Sequence, residues 1–239
     1  MVALERYDLI NTHFVLPTGP LGDALARRAG IPNVLSLHGG DLYDPAKRTS
    51  PHRHPLLRAW IRHLLRRADL VIGQSTNPLE NMRRFYVNVP ALRIPLAIPR
   101  PPLEVGSREA YGLAKDDVVL VTVGRLVARK AVAQLITLMT RLRGRNVRLL
   151  VIGSGPEEPR LREAIHAADL GGSVVLLGSV DEREKFRILR LSDVYVSTSQ
   201  HEGFGLVFLE AMATGLPIIC YDHGGQTDFL SDGKTGYLV

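Results

Sequence analysis

Nine short runs of branched apolar residues, alternating with stretches of helical period, leave this chain few folds to choose from. Asp8–Asn11, Asn33–Leu37, Asp69–Gly73 and Leu92–Leu96 come first, with helical patterns near Gly22–Ala29, Pro55–Arg67 and Leu79–Tyr86. Val118–Val123, Val147–Ile152, Val174–Leu177, Val194–Ser197 and Pro217–Tyr221 follow, separated by helical patterns near Lys130–Leu142, Glu157–Ala168, Glu182–Leu191 and Leu206–Thr214. The later runs are almost continuously apolar, as strands must be when helices cover both faces of their sheet. Strand and helix in alternation predict an α/β fold with parallel sheets. The passage from Pro95 to Pro102 holds four prolines and can continue neither a helix nor a central strand. The expected organisation is therefore a first domain over residues 1–98, a linker over 99–107 and a second domain over 108–239. Both domains are read as doubly wound, the first of them oddly short.

Composition narrows the class further. At 239 residues, 45% hydrophobic and 23% charged, the chain is an ordinary globular one rather than a disordered or disulfide-built one. Its single cysteine, Cys220, cannot close an intramolecular disulfide, which makes a reducing, cytoplasmic location the expectation. Met1 to Thr12 carries Glu5, Arg6 and Asp8 where an export signal needs an apolar core, so no such signal is expected. The net charge of +6 is lopsided: through Glu104 there are 14 Lys/Arg against 8 Asp/Glu, and the remainder is balanced. That asymmetry points to an anionic partner for the first half, a membrane or a phosphorylated acceptor before a nucleic acid. No nucleic-acid partner is expected, because no aromatic-interleaved basic stripe accompanies the charge.

In doubly wound folds ligands sit at the carboxyl ends of strands, on loops that lead into helices. After Val118–Val123 comes Gly124-Arg-Leu-Val-Ala-Arg-Lys130. A glycine turn followed by the fork of Arg125 and the point charge of Lys130 suits a diphosphate, although a solvated basic loop has the same composition. After Val194–Ser197 comes Glu202-Gly-Phe-Gly-Leu206, with Glu210 eight positions beyond Glu202. Gly203 and Gly205 remove side chains where backbone amides must approach a ligand at a helix start. Were the path helical, the two glutamates would stand roughly 12 Å apart, enough to meet hydroxyls at both ends of a nucleotide sugar.

The Glu202 to Glu210 segment resembles the E-x7-E region of retaining glycosyltransferases of the GT-B fold, family 4, the glycosyl transferases group 1. Gly124-Arg-Leu-x3-Lys130 is similar to that family's diphosphate loop, Val151-Ile-Gly-Ser-Gly-Pro156 to its glycine-proline turn, and Leu177-Gly-Ser-Val180 to the stretch lining the base. Gly224-Gly-Gln-Thr-Asp228 and Gly233-Lys-Thr-Gly-Tyr-Leu238 follow in the family's order. Ile31-Pro, His38-Gly-x-Asp41 and Arg67-Ala-Asp-Leu-Val-Ile72 resemble the later part of its acceptor domain.

The resemblance implies a GT-B enzyme that moves a sugar from a nucleotide-diphosphate donor to an acceptor with retention, of hexosyltransferase type. Arg125 and Lys130 would neutralise the diphosphate, Glu202 would hold the transferred sugar, Glu210 the ribose, and His38 would face the donor sugar. Gly124, Gly153, Val180, Gly203 and the backbone of Phe204, Gly205 and Leu206 would complete the donor site. No cofactor and no metal are implied, since the two cations do the charge work. The acceptor would be a sugar, a lipid-linked sugar or a small molecule. His13 is read as structural, Asp41 as a turn residue before an acceptor contact, Asp228 as a capping or orienting residue and Cys220 as packing. Family members extend beyond both ends of this sequence, so the first domain is expected to lack its amino-terminal half and the second its last helices. The alternative reading is therefore a non-catalytic, nucleotide-binding glycosyltransferase-like fragment or partner subunit.

One feature lies outside the family's motifs. Leu56, Leu57, Trp60, Ile61, Leu64 and Leu65 share a face of the Pro55–Arg67 helix, while Arg58, Arg62, Arg66 and Arg67 lie mostly off it. Seven cations and no acid fall between Lys47 and Arg67. The apolar face is expected to cover a sheet, and an exposed basic edge would suit peripheral attachment to an anionic membrane.

Overall fold

The computed structural model describes residues 7–239, and contacts divide it into two compact units. The first takes in the described residues up to Leu96 together with Glu202–Phe204 and Gly224–Asp228. The second takes in Ala97–His201, Gly205–His223 and Phe229–Val239.

In the first unit β1 (Ile10–His13), β2 (Asn33–Leu37), β3 (Leu70–Gly73) and β4 (Ala91–Arg93) form a sheet in that order, parallel throughout. The crossovers run through α1 (Gly19–Ala29), α2 (Pro55–Arg67) and α3 (Thr76–Phe85). Leu35 and Leu37 of β2 meet Ile61, Leu64 and Leu65 of α2 and Leu79 and Met82 of α3 in one apolar cluster. Each such side chain contributes about 1.5–3 kcal/mol by leaving water. Two strands are displaced from the sequence expectation. β1 lies at Ile10–His13 instead of 8–11, and β4 ends at Arg93, because Pro95 offers no amide to a ladder.

The second unit holds β5 (Val118–Val123), β6 (Val147–Ile152), β7 (Val174–Gly178), β8 (Val194–Ser197), β9 (Ile218–Cys220) and β10 (Gly236–Leu238). The sheet order is β10-β9-β8-β5-β6-β7, again all parallel. Its helices are α4 (Ala133–Arg141), α5 (Glu158–Ala167), α6 (Glu182–Leu191) and α7 (Leu206–Ala213). Successive strand residues point to opposite faces, and both faces are covered. Val119 and Val121 of β5 pack with Phe186 and Leu189 of α6 and Phe208 of α7, while Leu120 joins Leu135, Ile136 and Met139 of α4. The near-continuous apolar runs are the consequence. Cys220 is buried in this core.

α4 starts three residues later than its pattern suggests, because Ala128–Lys130 forms a tight turn that closes on Ala131 at φ +49°. β10 has no counterpart in the expected elements; its Gly236-Tyr-Leu238 is too short to stand out as a run. Among the described residues no helix is long and apolar enough to cross a membrane.

Candidate functional site

The order of the six-stranded sheet reverses at β5. From there the chain proceeds to β6 and β7 on one side, and later to β8, β9 and β10 on the other. In such sheets the loops that leave the two strands at the reversal diverge and open a crevice. Both loops here are the ones marked by the sequence motifs.

Hydrogen bonds fasten these loops together. The Gln200 amide donates to the Arg129 carbonyl at 2.7 Å, and the Thr198 hydroxyl donates to the carbonyls of Lys130 and Ala131 at 3.1 and 3.0 Å. Arg129 itself donates from Nη1 to the His201 carbonyl at 3.1 Å. The third cation of the basic loop thus braces the neighbouring loop, while Arg125 is exposed and Lys130 half-buried. On the other side Leu126 donates to Ser154 O and Glu157 donates to Leu126 O. Gly153 is an obligate glycine: at φ +129°, an added Cβ would lie 2.0 Å from the Gly124 carbonyl oxygen. The β7 loop joins in through Gly153 N donating to Gly178 O and through paired hydroxyls of Ser154 and Ser179. Val180, next along, packs partly buried against the core. Gly124, Arg125, Lys130, Gly153 and Val180 thus lie on connected loops at the carboxyl edge of one sheet.

α7 begins at Leu206, directly after Gly205 at φ +90°. The path from Glu202 to Glu210 is therefore a turn followed by a helix, and the separation expected of a continuous helix does not apply. Glu210 is 9% exposed on α7. Lys185 of α6 places Nζ 2.8 Å from its Oε1, while Oε2 is buried without a hydrogen-bond partner.

The first unit holds the other candidates. His38 follows β2, and its ring stacks on Phe14 with centroids 4.1 Å apart. Phe14 follows β1 with φ +69°, an uncommon conformation for an aromatic residue. The Gln74 amide donates to His38 Nδ1 at 2.6 Å, which leaves the ring proton on Nε2 for donation to His13 Nδ1 at 2.9 Å. Burial first, and then the neighbouring His13, hold His38 below the usual imidazole range. Asp41 accepts from the amides of Val15 and His38 and is 8% exposed, which suits a turn residue. Burial raises its pKa against these hydrogen bonds.

Glu202, Gly203 and Phe204 belong to this first unit by contact. A Cβ on Gly203 would lie 2.3 Å from the His38 carbonyl oxygen, so this glycine is demanded by protein backbone, not by space for a ligand alone. Ser75 donates its hydroxyl to Gly203 O. Asp228 accepts from the amide and hydroxyl of Thr76, at the first turn of α3, and from Arg93 at 2.9 Å. Asp228 therefore caps α3.

Lys185, Gln74 and Ser75 carry no motif and were not marked by sequence. Lys185 falls in a helix rich in charged residues, and only its tertiary partner distinguishes it. The arginines of α2 are more constrained than their pattern suggests: Arg58 and Arg62 donate from Nε to the carbonyls of Phe85 and Tyr86, at the end of α3. His52 is half-buried against Tyr43 and Phe85.

Two parallel-sheet units of this kind, the second with a glycine-rich edge, are those of the GT-B class. The chain belongs to the glycosyl transferases group 1 family, whose model matches residues 106–239; a glycosyl transferase 4-like domain matches residues 1–97. Among its relatives is a D-inositol 3-phosphate glycosyltransferase of a Nocardioides species, 30% identical over 98% of this chain and 56% of its own length. A GDP-mannose-dependent alpha-mannosyltransferase of Mycobacterium tuberculosis is 30% identical over 99% of this chain and 62% of its own. Among solved structures, sucrose-phosphate synthase from Thermosynechococcus elongatus superposes with a TM-score of 0.83 at 28% identity, covering 98% of this chain and 60% of that one. The chain thus spans little more than half the length of these relatives.

Proposed function

We propose that the second unit binds a nucleotide-diphosphate sugar at the carboxyl edge of its sheet, and that the protein transfers the sugar to an acceptor with retention of anomeric configuration. The observation that carries this is the fastening of the Arg125–Lys130 loop to the loop entering α7, at the strand-order reversal. Arg125 and Lys130 meet the diphosphate. As the bond from the anomeric carbon to the phosphate oxygen breaks, charge grows on the departing nucleotide, and two preplaced cations stabilise it. Backbone amides of Phe204, Gly205 and Leu206 face the sugar and phosphates, Glu202 accepts from sugar hydroxyls, and Glu210 accepts from the ribose. Gly124 and Gly153 give the backbone its close approaches, and Val180 flanks the base. The two cations do the electrostatic work that a divalent ion does elsewhere. The mannosyltransferase relative, by its name, depends on a nucleotide sugar, which supports the donor class.

The test is calorimetry with UDP, GDP, ADP and CDP. One of them should bind, and Arg125→Ala with Lys130→Ala should weaken it by about 1.5–3 kcal/mol for each charge-assisted hydrogen bond removed. Unchanged affinity in the double variant removes these loops from the donor site. Binding without transfer to any acceptor would favour the alternative, a nucleotide-binding partner or fragment. A product anomer opposite to the donor's would overturn retention.

A second reading concerns the acceptor side. On α2, Leu56 is 86% and Trp60 46% exposed, one turn apart, in the basic stretch from Lys47 to Arg67. We infer that this edge meets an anionic membrane surface, where a lipid-linked acceptor would be presented.

A further inference from the structure

Glu210 is a carboxylate on an otherwise apolar helix. Its side chain is 12% exposed, and its α7 neighbours Phe208 and Ala211 are fully buried. A buried, ionised carboxylate without a counter-charge is costly.

The structure supplies the counter-charge from one residue. Lys185 Nζ, on a side chain equally secluded at 12% exposure, lies 2.8 Å from Oε1. Its helix is held in place locally: Asp181 accepts from the Glu184 amide as an N-cap, and the Lys185 amide donates to Asp181 O. Lys185 also reaches Glu182 at 2.6 Å, a carboxylate that is itself mostly in water. The pairing is one-sided, because Oε1 is satisfied while Oε2 remains buried with no donor. A purely structural ion pair would leave no reason to bury an acceptor unmet, which is a costly arrangement.

We propose that Lys185 is a positioning residue of the donor site. Through Oε1 it fixes the rotamer of Glu210, so that Oε2, which meets no donor among the described residues, is left for a ribose hydroxyl. This inference rests on the reading of Glu210 as the ribose acceptor. Lys185 itself touches no part of the ligand; its effect is confined to ribose recognition.

The experiment uses the full 239-residue chain and whichever of UDP, GDP, ADP and CDP binds best, paired with its 2′,3′-dideoxy counterpart. The wild type should prefer the ribonucleotide by about tenfold or more, the discrimination expected when a buried acceptor loses its donor. Lys185→Met should cut that preference to within about threefold while leaving dideoxy affinity unchanged, because only the ribose contact depends on Lys185. Lys185→Arg, which preserves the charge and serves if the methionine variant fails to fold, should keep most of the preference. The double variant Lys185→Met/Glu210→Ala should behave as Glu210→Ala alone.

If Glu210→Ala leaves the preference intact, the ribose reading itself fails. If Glu210→Ala abolishes it and Lys185→Met does not, that reading stands and the positioning role is overturned. Equal weakening of both nucleotides by Lys185→Met would mark a merely structural pair, and additive effects in the double variant would mean that Lys185 touches the ligand directly. Either result overturns the proposal.

Discussion

His38 shows how a single side chain in this protein is defined by its surroundings. With Gln74 donating to one ring nitrogen and His13 accepting from the other, both nitrogens are committed to the neutral form. A second proton would displace the Gln74 bond and set a charge against His13. The sign of the stability effect follows. Below the ordinary imidazole value of 6.5 the unfolded chain takes up a proton that folded His38 resists, so folding weakens as pH falls through that window. His52, also held low by burial and by Arg53, adds a slope of the same sign. Urea melts of the wild type and His38→Gln above and below pH 6.5 separate the two. The variant should lose part of the slope, and an identical slope would mean that His38 titrates like a free imidazole. Residues of this sort divide sharply in how legible they were. Arg125, Lys130, Glu202 and Glu210 stand out as candidates through their spacing to nearby glycines. Gln74, Ser75 and Lys185 do not, because each acquires its role from a partner remote in sequence: His38, Gly203 and Glu210.

Among the elements, α2 divides one apolar stripe between core and water. Ile61, Leu64 and Leu65 are buried under the sheet, while Leu56 and Trp60 face water. Reversing its arginines would be a poor probe of membrane contact, since Arg58 and Arg62 hold the end of α3 and Arg67 pairs with Asp23 at 3.0 Å. Leu56→Ser with Trp60→Ser leaves those bonds alone. Each side chain contributes about 1.5–3 kcal/mol if it becomes buried in lipid, so the pair should weaken binding to anionic vesicles at least tenfold at low salt. Sedimentation with such vesicles measures it, and a wild type that ignores them reduces α2 to a sheet cover. The elements themselves were largely legible because helices cover both faces of the second sheet, which makes its strands continuous apolar runs. The errors sit where that logic stops. β10 is a three-residue edge strand, and α4 waits for the turn at Ala131, whose φ of +49° no propensity would place there.

At the scale of the whole molecule, sequence halves and structural units do not coincide. The boundary expected near residue 98 runs close to the one between the two units, yet Glu202–Phe204 and Gly224–Asp228 join the first unit from the far half of the chain. The consequence is energetic. α3 begins after Ser75, whose hydroxyl makes no capping bond and turns instead to Gly203. The carboxylate at its first turn is Asp228, accepting from Thr76 N at 2.8 Å and lying where the helix dipole favours negative charge. The same oxygen meets Arg93, so one residue holds both α3 and the strand after it. Asp228→Ala should therefore cost about 1–2 kcal/mol, chiefly through the missing cap, because the arginine is half in water. Hydrogen exchange locates the damage. Amides in the first turn of α3 and in β4 should exchange faster in the variant, while those of β5 and β6 stay as protected as before. A peptide of residues 1–98 alone should show the same weakened α3, since it lacks the residue that caps it. Equal protection of α3 in that peptide and in the full chain would mean that the first unit folds without its borrowed segments, and that the hydrogen bonds of Asp228 form without stabilising it.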